Sequence, residues 1–298
     1  MTTHLIRSLN VIKKLNCKKF HTTCKVNNFY ETNRKGGFPF LYDPKREEEP
    51  TTTVGEVKKA CTDFIHELKL LKEETKENFR MDPPLCQRPG EVDIQWRFNG
   101  DPDEIYKWTV TSDKDYNLGY STASLELTPN GTGLFSGVMD TRPIKDGKQK
   151  VGGYCNMRTR IMKKAFHVQD VLPWSGFTHL AMRIRGDGRT YTLNLHPKTT
   201  FDIMWNDLFN FVLYTRGGPY WQYVKIPFSK FLLSSKGRVQ DIQGPAPVHN
   251  MSSFSITLSD QVPGPFRLEI DYIGIEQDAV FEEESAYELY KPPNPYYT

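Results

Sequence analysis

Several common signatures are missing from this 298-residue sequence. No run of about 18 apolar residues exists to form a transmembrane helix. There is no GxSxG elbow and no HExxH pair, and no GxGxxG follows a strand pattern. Those absences remove the usual marks of serine hydrolases, zinc peptidases and dinucleotide-binding enzymes. The histidines are isolated, and His66, His167, His179, His196 and His249 each lack a Cys or His neighbour at metal-ligand spacing. Cysteine is sparse as well. Cys17 and Cys24 fall in the basic N-terminal segment; Cys61, Cys86 and Cys155 show no CxxC spacing and no disulfide framework, and these three are expected to be reduced and packed as small hydrophobes. No catalytic residue, metal ligand or cofactor site is expected.

Acid is also missing, but only locally. The first 30 residues hold six basic side chains (Arg7, Lys13, Lys14, Lys18, Lys19, Lys25), and the first acidic residue is Glu31. Leu5, Leu9 and Ile12 recur at helical spacing, and no continuous apolar core of a secretory signal is present. This combination is that of a mitochondrial presequence, expected over residues 1–35; the alternative is a basic arm for nucleic acid or membrane. The whole chain carries 39 basic against 36 acidic side chains. Subtracting the six leaves 33 against 36, a mildly acidic body that argues against nucleic-acid binding.

What is present is β-patterned. Residues 36–91 are expected to form a Pro-containing linker and one amphipathic helix. In that helix Val57, Cys61, Phe64, Leu68 and Leu71 alternate at spacings of four and three, up to the stop at Met81-Asp82-Pro83-Pro84. Its stripe serves either to pack on the following domain or to dock a partner or a membrane surface. From Val92 the period switches to two. Eleven strands are predicted: 94–98, 108–112, 121–127, 134–139, 154–160, 178–185, 190–196, 210–214, 221–227, 252–258 and 267–276. They are separated by Gly, Asn, Asp and Pro turns. Many short strands with one long helix predict a β-sandwich over 92–277, followed by an acidic, Pro-rich tail over 278–298. Gly186-Asp187-Gly188 is predicted to turn a hairpin, across which His179 and His196 would be neighbours. Strand 267–276 is expected to place Phe266, Leu268, Ile270 and Tyr272 on one face and Arg267, Glu269, Asp271 and Ile273 on the other. Gly131-Thr-Gly-Leu-Phe-Ser-Gly137 has GxGxxxG spacing but lacks the Lys-Ser/Thr of a phosphate loop, and a strand follows it instead of a helix.

The remaining signal is a set of arginines and aromatics. Trp174, Arg183, Arg185, Asp187, Arg189, Tyr191, Tyr220 and Trp221 are the candidate partner-binding residues, with Tyr214 and Tyr223 close by in sequence. Arg and aromatic side chains are enriched at interface hot spots. Rings of this kind also stack on sugars, and about half of them are expected in the core because alternation sends neighbours to opposite faces.

Trp174-Ser-Gly-Phe177, Arg183-Ile-Arg-Gly-Asp-Gly-Arg-Thr-Tyr191, Trp221-Gln-Tyr-Val-Lys-Ile-Pro-Phe-Ser-Lys-Phe231 and Leu268-Glu-Ile-Asp-Tyr-Ile-Gly-Ile275 occur in this order, with Gly152-Gly153 upstream. Together they resemble the complex I intermediate-associated protein 30 family over about residues 92–277. One departure is Tyr154-Cys155, where relatives carry small residues. The resemblance implies a mainly β, galactose-binding-like jelly-roll sandwich with the helix ahead of it. It implies a non-catalytic assembly factor for respiratory complex I, peripheral to the inner membrane on the matrix side. The partners it implies are complex I assembly intermediates, the adaptor ECSIT and an acyl-CoA dehydrogenase relative. A carbohydrate-binding module is the alternative function. A domain accessory to an oxidoreductase would need a nucleotide-binding partner domain, which this chain lacks.

Overall fold

The computed structural model describes residues 53–79, 88–144, 152–198, 207–235 and 237–283. The expected presequence, most of the linker and the end of the tail lie outside these. Helix α1 (Thr53–Phe79) is followed by a short helix α2 (Pro102–Tyr106) and thirteen described strands. These are β1 (Val92–Arg97), β2 (Trp108–Ser112), β3 (Thr122–Leu127), β4 (Gly133–Met139), β5 (Cys155–Thr159), β6 (His179–Arg185), β7 (Thr190–Pro197), β8 (Asp207–Tyr214), β9 (Gln222–Pro227), β10 (Leu232–Ser235), β11 (Arg238–Val239), β12 (Met251–Leu258) and β13 (Gly264–Glu276).

They form two antiparallel sheets, packed as the expected jelly-roll sandwich. One is ordered β3-β4-β13-β6-β9, with β1 paired to the second half of β13. The other is ordered β11-β10-β8-β7-β12-β5-β2. Alternation buries one face of each. Leu180, Met182 and Ile184 of β6 and Leu268 and Ile270 of β13 meet Leu193 and Leu195 of β7 and Phe254, Ile256 and Leu258 of β12. Trp96, Trp108, Trp174 and Phe254 cluster at one end of this interior, with ring centroids 5.5–6.5 Å apart.

Three expectations are corrected here. First, β6 and β7 do not form a hairpin. β6 pairs with β13 and β9, and β7 pairs with β12 and β8, so Gly186-Asp187-Gly188 arches from one sheet to the other. Alternation shows that each strand has a buried face; it does not say which strand lies beside it. His179 and His196 therefore sit in different sheets. The arch needs its glycines. A Cβ on Gly186 would lie 2.3 Å from Thr215 Cβ, and Gly188 has φ +92°. Asp187 closes it by accepting the N–H of Arg189 (3.0 Å) and of Arg267 (2.7 Å).

Second, the register of β13 shifts between Ile270 and Tyr272. This bulge puts two successive residues, Asp271 and Tyr272, on the outer side and returns Ile273 and Ile275 to the core with no exposure. Tyr272 and Ile273 thus exchange the faces that strict alternation predicts.

Third, β10 and β11 add to the edge of the second sheet beside β8; no strand was expected there. The Gly131–Gly137 segment is a hairpin. Gly131 (φ +81°) turns it, and Gly133 and Gly137 lie in β4, where a Cβ would strike the Phe98 ring at 2.7 Å and the Thr122 carbonyl at 1.9 Å. Close packing, with no phosphate involved, accounts for these glycines.

Helix α1 meets the sandwich at the loop holding Ala165 and Phe166. Glu74 Oε1 accepts the Ala165 N–H (2.7 Å), Glu67 Oε2 accepts the Phe166 N–H (2.6 Å), and the Phe64 and Phe166 rings are 5.9 Å apart. Beyond β13, residues 277–283 are tied down as a strap. Lys225 holds Glu276 and Asp278 at 2.8 and 3.1 Å, and the Phe281 ring stands edge-on to His179 at 4.7 Å.

Candidate interaction surface

The candidate residues fall into three environments. Trp174 and Tyr191 are fully buried. Trp174 stacks on Phe228 at 5.6 Å and donates its indole N–H to Gln95 Oε1 at 3.3 Å. The Tyr191 hydroxyl lies 3.4 Å from both Asp187 oxygens, and burial, reinforced by that carboxylate, raises its pKa. Neither ring reaches the surface: Tyr191 sits on the inward phase of β7, and Trp174, in the loop ahead of β6, packs into the aromatic cluster. These two are core residues and are corrected as contact residues.

Asp187 and Arg189 hold turns together. Arg189 Nε and Nη2 grip Asp260 at 2.9 and 2.7 Å. Its Nη1 donates to the Gly264 and Pro265 carbonyls at 3.2 and 3.1 Å, and Nη2 also reaches the Val262 carbonyl. This guanidinium staples the β12–β13 turn to the arch, and the Asp260 bond raises its pKa.

Arg183, Arg185 and Trp221 come together on the outer face of the six-stranded sheet, with Tyr220 adjacent to Trp221 in sequence. Arg183 Nη1 donates to Asp271 Oδ2 at 2.6 Å, which raises the Arg183 pKa. Arg185 Nε and Nη2 donate to Glu269 Oε2 at 3.0 and 2.5 Å. Both guanidinium groups lie over the Trp221 ring, at 4.7 Å for Arg183 and 5.0 Å for Arg185 from its centroid, and the Tyr223 ring centroid lies 5.5 Å from Arg183. Stacking on the ring faces leaves each guanidinium's edge to the carboxylates. Glu269 is only 1% exposed despite its outward position. Burial pushes its carboxyl up, but the Thr132 hydroxyl at 2.6 Å and Arg185 outweigh that and hold it below its ordinary value. The arginine charge is therefore largely neutralised within the cluster. What remains for a partner is ring surface: Tyr220 is 82% exposed and Tyr223 70%. Tyr214, 72% exposed, belongs to β8 in the other sheet; Gln222, beside the cluster, donates to its carbonyl at 3.2 Å.

Sequence reasoning missed Glu269 and Asp271. Their outward phase on β13 was legible, but the register that sets them opposite Arg185 and Arg183 was not. It also missed the outer face of the seven-stranded sheet, which is polar yet largely buried. There Asn194 Nδ2 donates to Ser255 Oγ (3.0 Å) and Thr257 Oγ1 (2.8 Å), and Thr257 donates to Asn156 Oδ1 (3.0 Å). Arg158 Nε donates to Ser253 Oγ (2.8 Å), and His196 Nε2 is 2.8 Å from Ser255 Oγ. Burial lowers the Arg158 pKa to about 9, and burial together with Arg158 keeps His196 neutral, well below its ordinary value.

Among the described residues no three His, Cys, Asp or Glu side chains are grouped to hold a metal ion, and no helix is long and apolar enough to cross a membrane.

Residues 96–270 match the family model described as complex I intermediate-associated protein 30. A Drosophila melanogaster protein, "Complex I intermediate-associated protein 30, mitochondrial", is 45% identical over 279 residues, covering 93% of this chain and 92% of that protein. The Mus musculus protein of the same description is 43% identical over 203 residues, 68% of this chain and 61% of its own length. The Caenorhabditis elegans relative, described as probable, is 42% identical over 207 residues, 69% of this chain and 60% of its own length. Among solved structures, the family 11 carbohydrate-binding module of a Clostridium thermocellum cellulosomal cellulase aligns with 63% of this chain and 95% of its own, at 16% identity and a TM-score of 0.44.

Proposed function

The chain belongs to the complex I intermediate-associated protein 30 family, and from that premise we propose that it is a non-catalytic assembly factor of mitochondrial respiratory complex I. The observation that carries this is the match over nearly the whole chain to a mitochondrial relative of that description. The protein works in the mitochondrion, on the matrix side of the inner membrane, where it binds assembly intermediates and then leaves. The finer partners are the adaptor ECSIT and an acyl-CoA dehydrogenase relative, as the resemblance implies.

The contact surface we assign to this role is the outer face of the six-stranded sheet, with Tyr220, Trp221 and Tyr223 as its rings and Arg183 and Arg185 as their support. Fixed rings lose little conformational freedom on binding. Arg183 and Arg185 both pack over Trp221, so the surface is formed before a partner arrives.

Native-gel profiles of respiratory complexes from cells depleted of the protein test the role. Loss of mature complex I with accumulated sub-assemblies, restored by the full chain and not by a chain lacking residues 1–30, is expected. Normal complex I after complete depletion would overturn the assembly role. Tyr220→Ala with Tyr223→Asp tests the surface, since both side chains are largely exposed and their replacement should leave the fold intact. Full rescue by this double variant, with ECSIT and the dehydrogenase relative still co-purifying, would refute the assigned face.

A further inference from the structure

We propose that the exposed seam of α1, formed by Cys61, Phe64, Ile65, Leu68 and Leu71, takes an amphipathic helix of another protein whose flank facing Lys72 is acidic. Cys61, Phe64, Leu68 and Leu71 are separated by three, four and three residues. That 3.5-residue period keeps a narrow apolar line on one side of a helix and is the spacing that one helix presents to another. Among the described residues only Phe64 of this line has a ring partner, Phe166, and the line stays accessible: Phe64 is 55% exposed, Ile65 53%, Leu68 44% and Leu71 42%.

The rotation of α1 is set by its contact with the sandwich. Glu67 and Glu74, one heptad apart, accept the backbone N–H groups of Phe166 and Ala165. Phe166 adopts φ 58°, a left-handed conformation that bulky residues rarely take, and its ring packs on Phe64. The glutamate flank of the seam is thereby committed to this loop. The opposite flank carries Ile65 and Lys72, and both are exposed.

This arrangement selects among occupants. A parallel second copy would press each chain's Lys72 flank against a glutamate flank already occupied by the loop at 165–166. An antiparallel copy would set the Lys72 flanks against one another. A lipid surface is disfavoured because α1 has six acidic and five basic residues, no cationic surplus for anionic headgroups. A foreign helix with apolar seam residues and carboxylates opposite Lys72 satisfies both the seam and the exposed flank.

The test uses the full chain and two fluorescent synthetic helices with leucine at every seam position, one flanked by Glu and the other by Lys. Anisotropy titration should show the Glu-flanked helix binding about tenfold more tightly at low salt, with the difference shrinking as salt screens it. Leu68→Asp should abolish binding with sandwich unfolding unchanged, because Leu68 is solvent-facing. Lys72→Glu should reverse the preference. The proposal is overturned if neither helix binds, if both bind equally, or if Leu68→Asp has no effect. It is also overturned if Leu68→Asp instead removes self-association seen by sedimentation, or removes binding to phosphatidylserine vesicles while neither helix binds. None of these results bears on the assembly role, whose readout is mature complex I in depleted cells.

Discussion

Replacing Arg189 with alanine should destabilise the sandwich without touching the proposed contact surface. The guanidinium makes two bonds to Asp260 and reaches three backbone carbonyls. Both side chains of the ion pair are 11% exposed. Removing Arg189 leaves Asp260 with only the Val262 N–H, at 3.2 Å, among the described residues, and strips the carbonyls of 262, 264 and 265 of this donor. Breaking a fully buried pair costs about 3–5 kcal/mol and an exposed one roughly 0–1. Slight exposure on both sides places this loss at ~2–4 kcal/mol. For a domain of this size that is a fall of roughly 4–15 °C in Tm. Urea denaturation should show a lower midpoint at constant slope. Arg189→Met with Asp260→Leu leaves no unpaired charge and should recover more than half of the loss. A cost below ~1 kcal/mol for Arg189→Ala would refute the staple, since it would mean that solvent already screens the pair as it does a surface pair.

Acidification provides a second check. The folded-state pKa of His196 lies below its unfolded value, so the unfolded chain takes up a proton that the folded chain refuses. Stability should be full above the unfolded value near 6.5 and decline below it, by up to about 1.4 kcal/mol per pH unit. His179 shifts in the same direction, mainly through burial, so His196→Gln should reduce the slope without abolishing it. A slope unchanged by His196→Gln between pH 7.5 and 5 would contradict a neutral buried imidazole. Gly137→Ala should cost ~1–3 kcal/mol or more, because its Cβ would meet the Thr122 carbonyl at 1.9 Å; wild-type thermal stability would show that β3 and β4 can separate freely. In native protein at pH 8, iodoacetamide should modify exposed Cys61 and spare Cys155, whose thiol is pushed up to about 12 by burial first and by Asp113 second. Rapid labelling of Cys155, followed residue by residue in mass spectra, would mean that this end of the sandwich opens.

The sequence by itself determined everything that local pattern encodes. Period-two alternation located eleven of the described strands, because a half-buried strand must alternate wherever it lies. The 4–3 spacing located α1, and the ordered Arg, Trp and Gly motifs identified the family. Tertiary structure alone decided which strands are neighbours. Gly186-Asp187-Gly188 looks like a hairpin turn but spans the two sheets, since alternation is the same whether a strand's neighbour is its sequence partner or a distant strand. One bulged residue in β13 exchanged the faces of Tyr272 and Ile273, a shift that no composition signals because any residue type can occupy the bulge. The division of the candidate site followed from the same cause. Trp174 and Tyr191 carry the same chemistry as Trp221 and Tyr220, and only the tertiary packing of their segments sends the first pair into the core and leaves the second nearer the surface. Arg189 and Arg185 are likewise indistinguishable by type. Register gave one of them a turn to staple and the other a tryptophan to support.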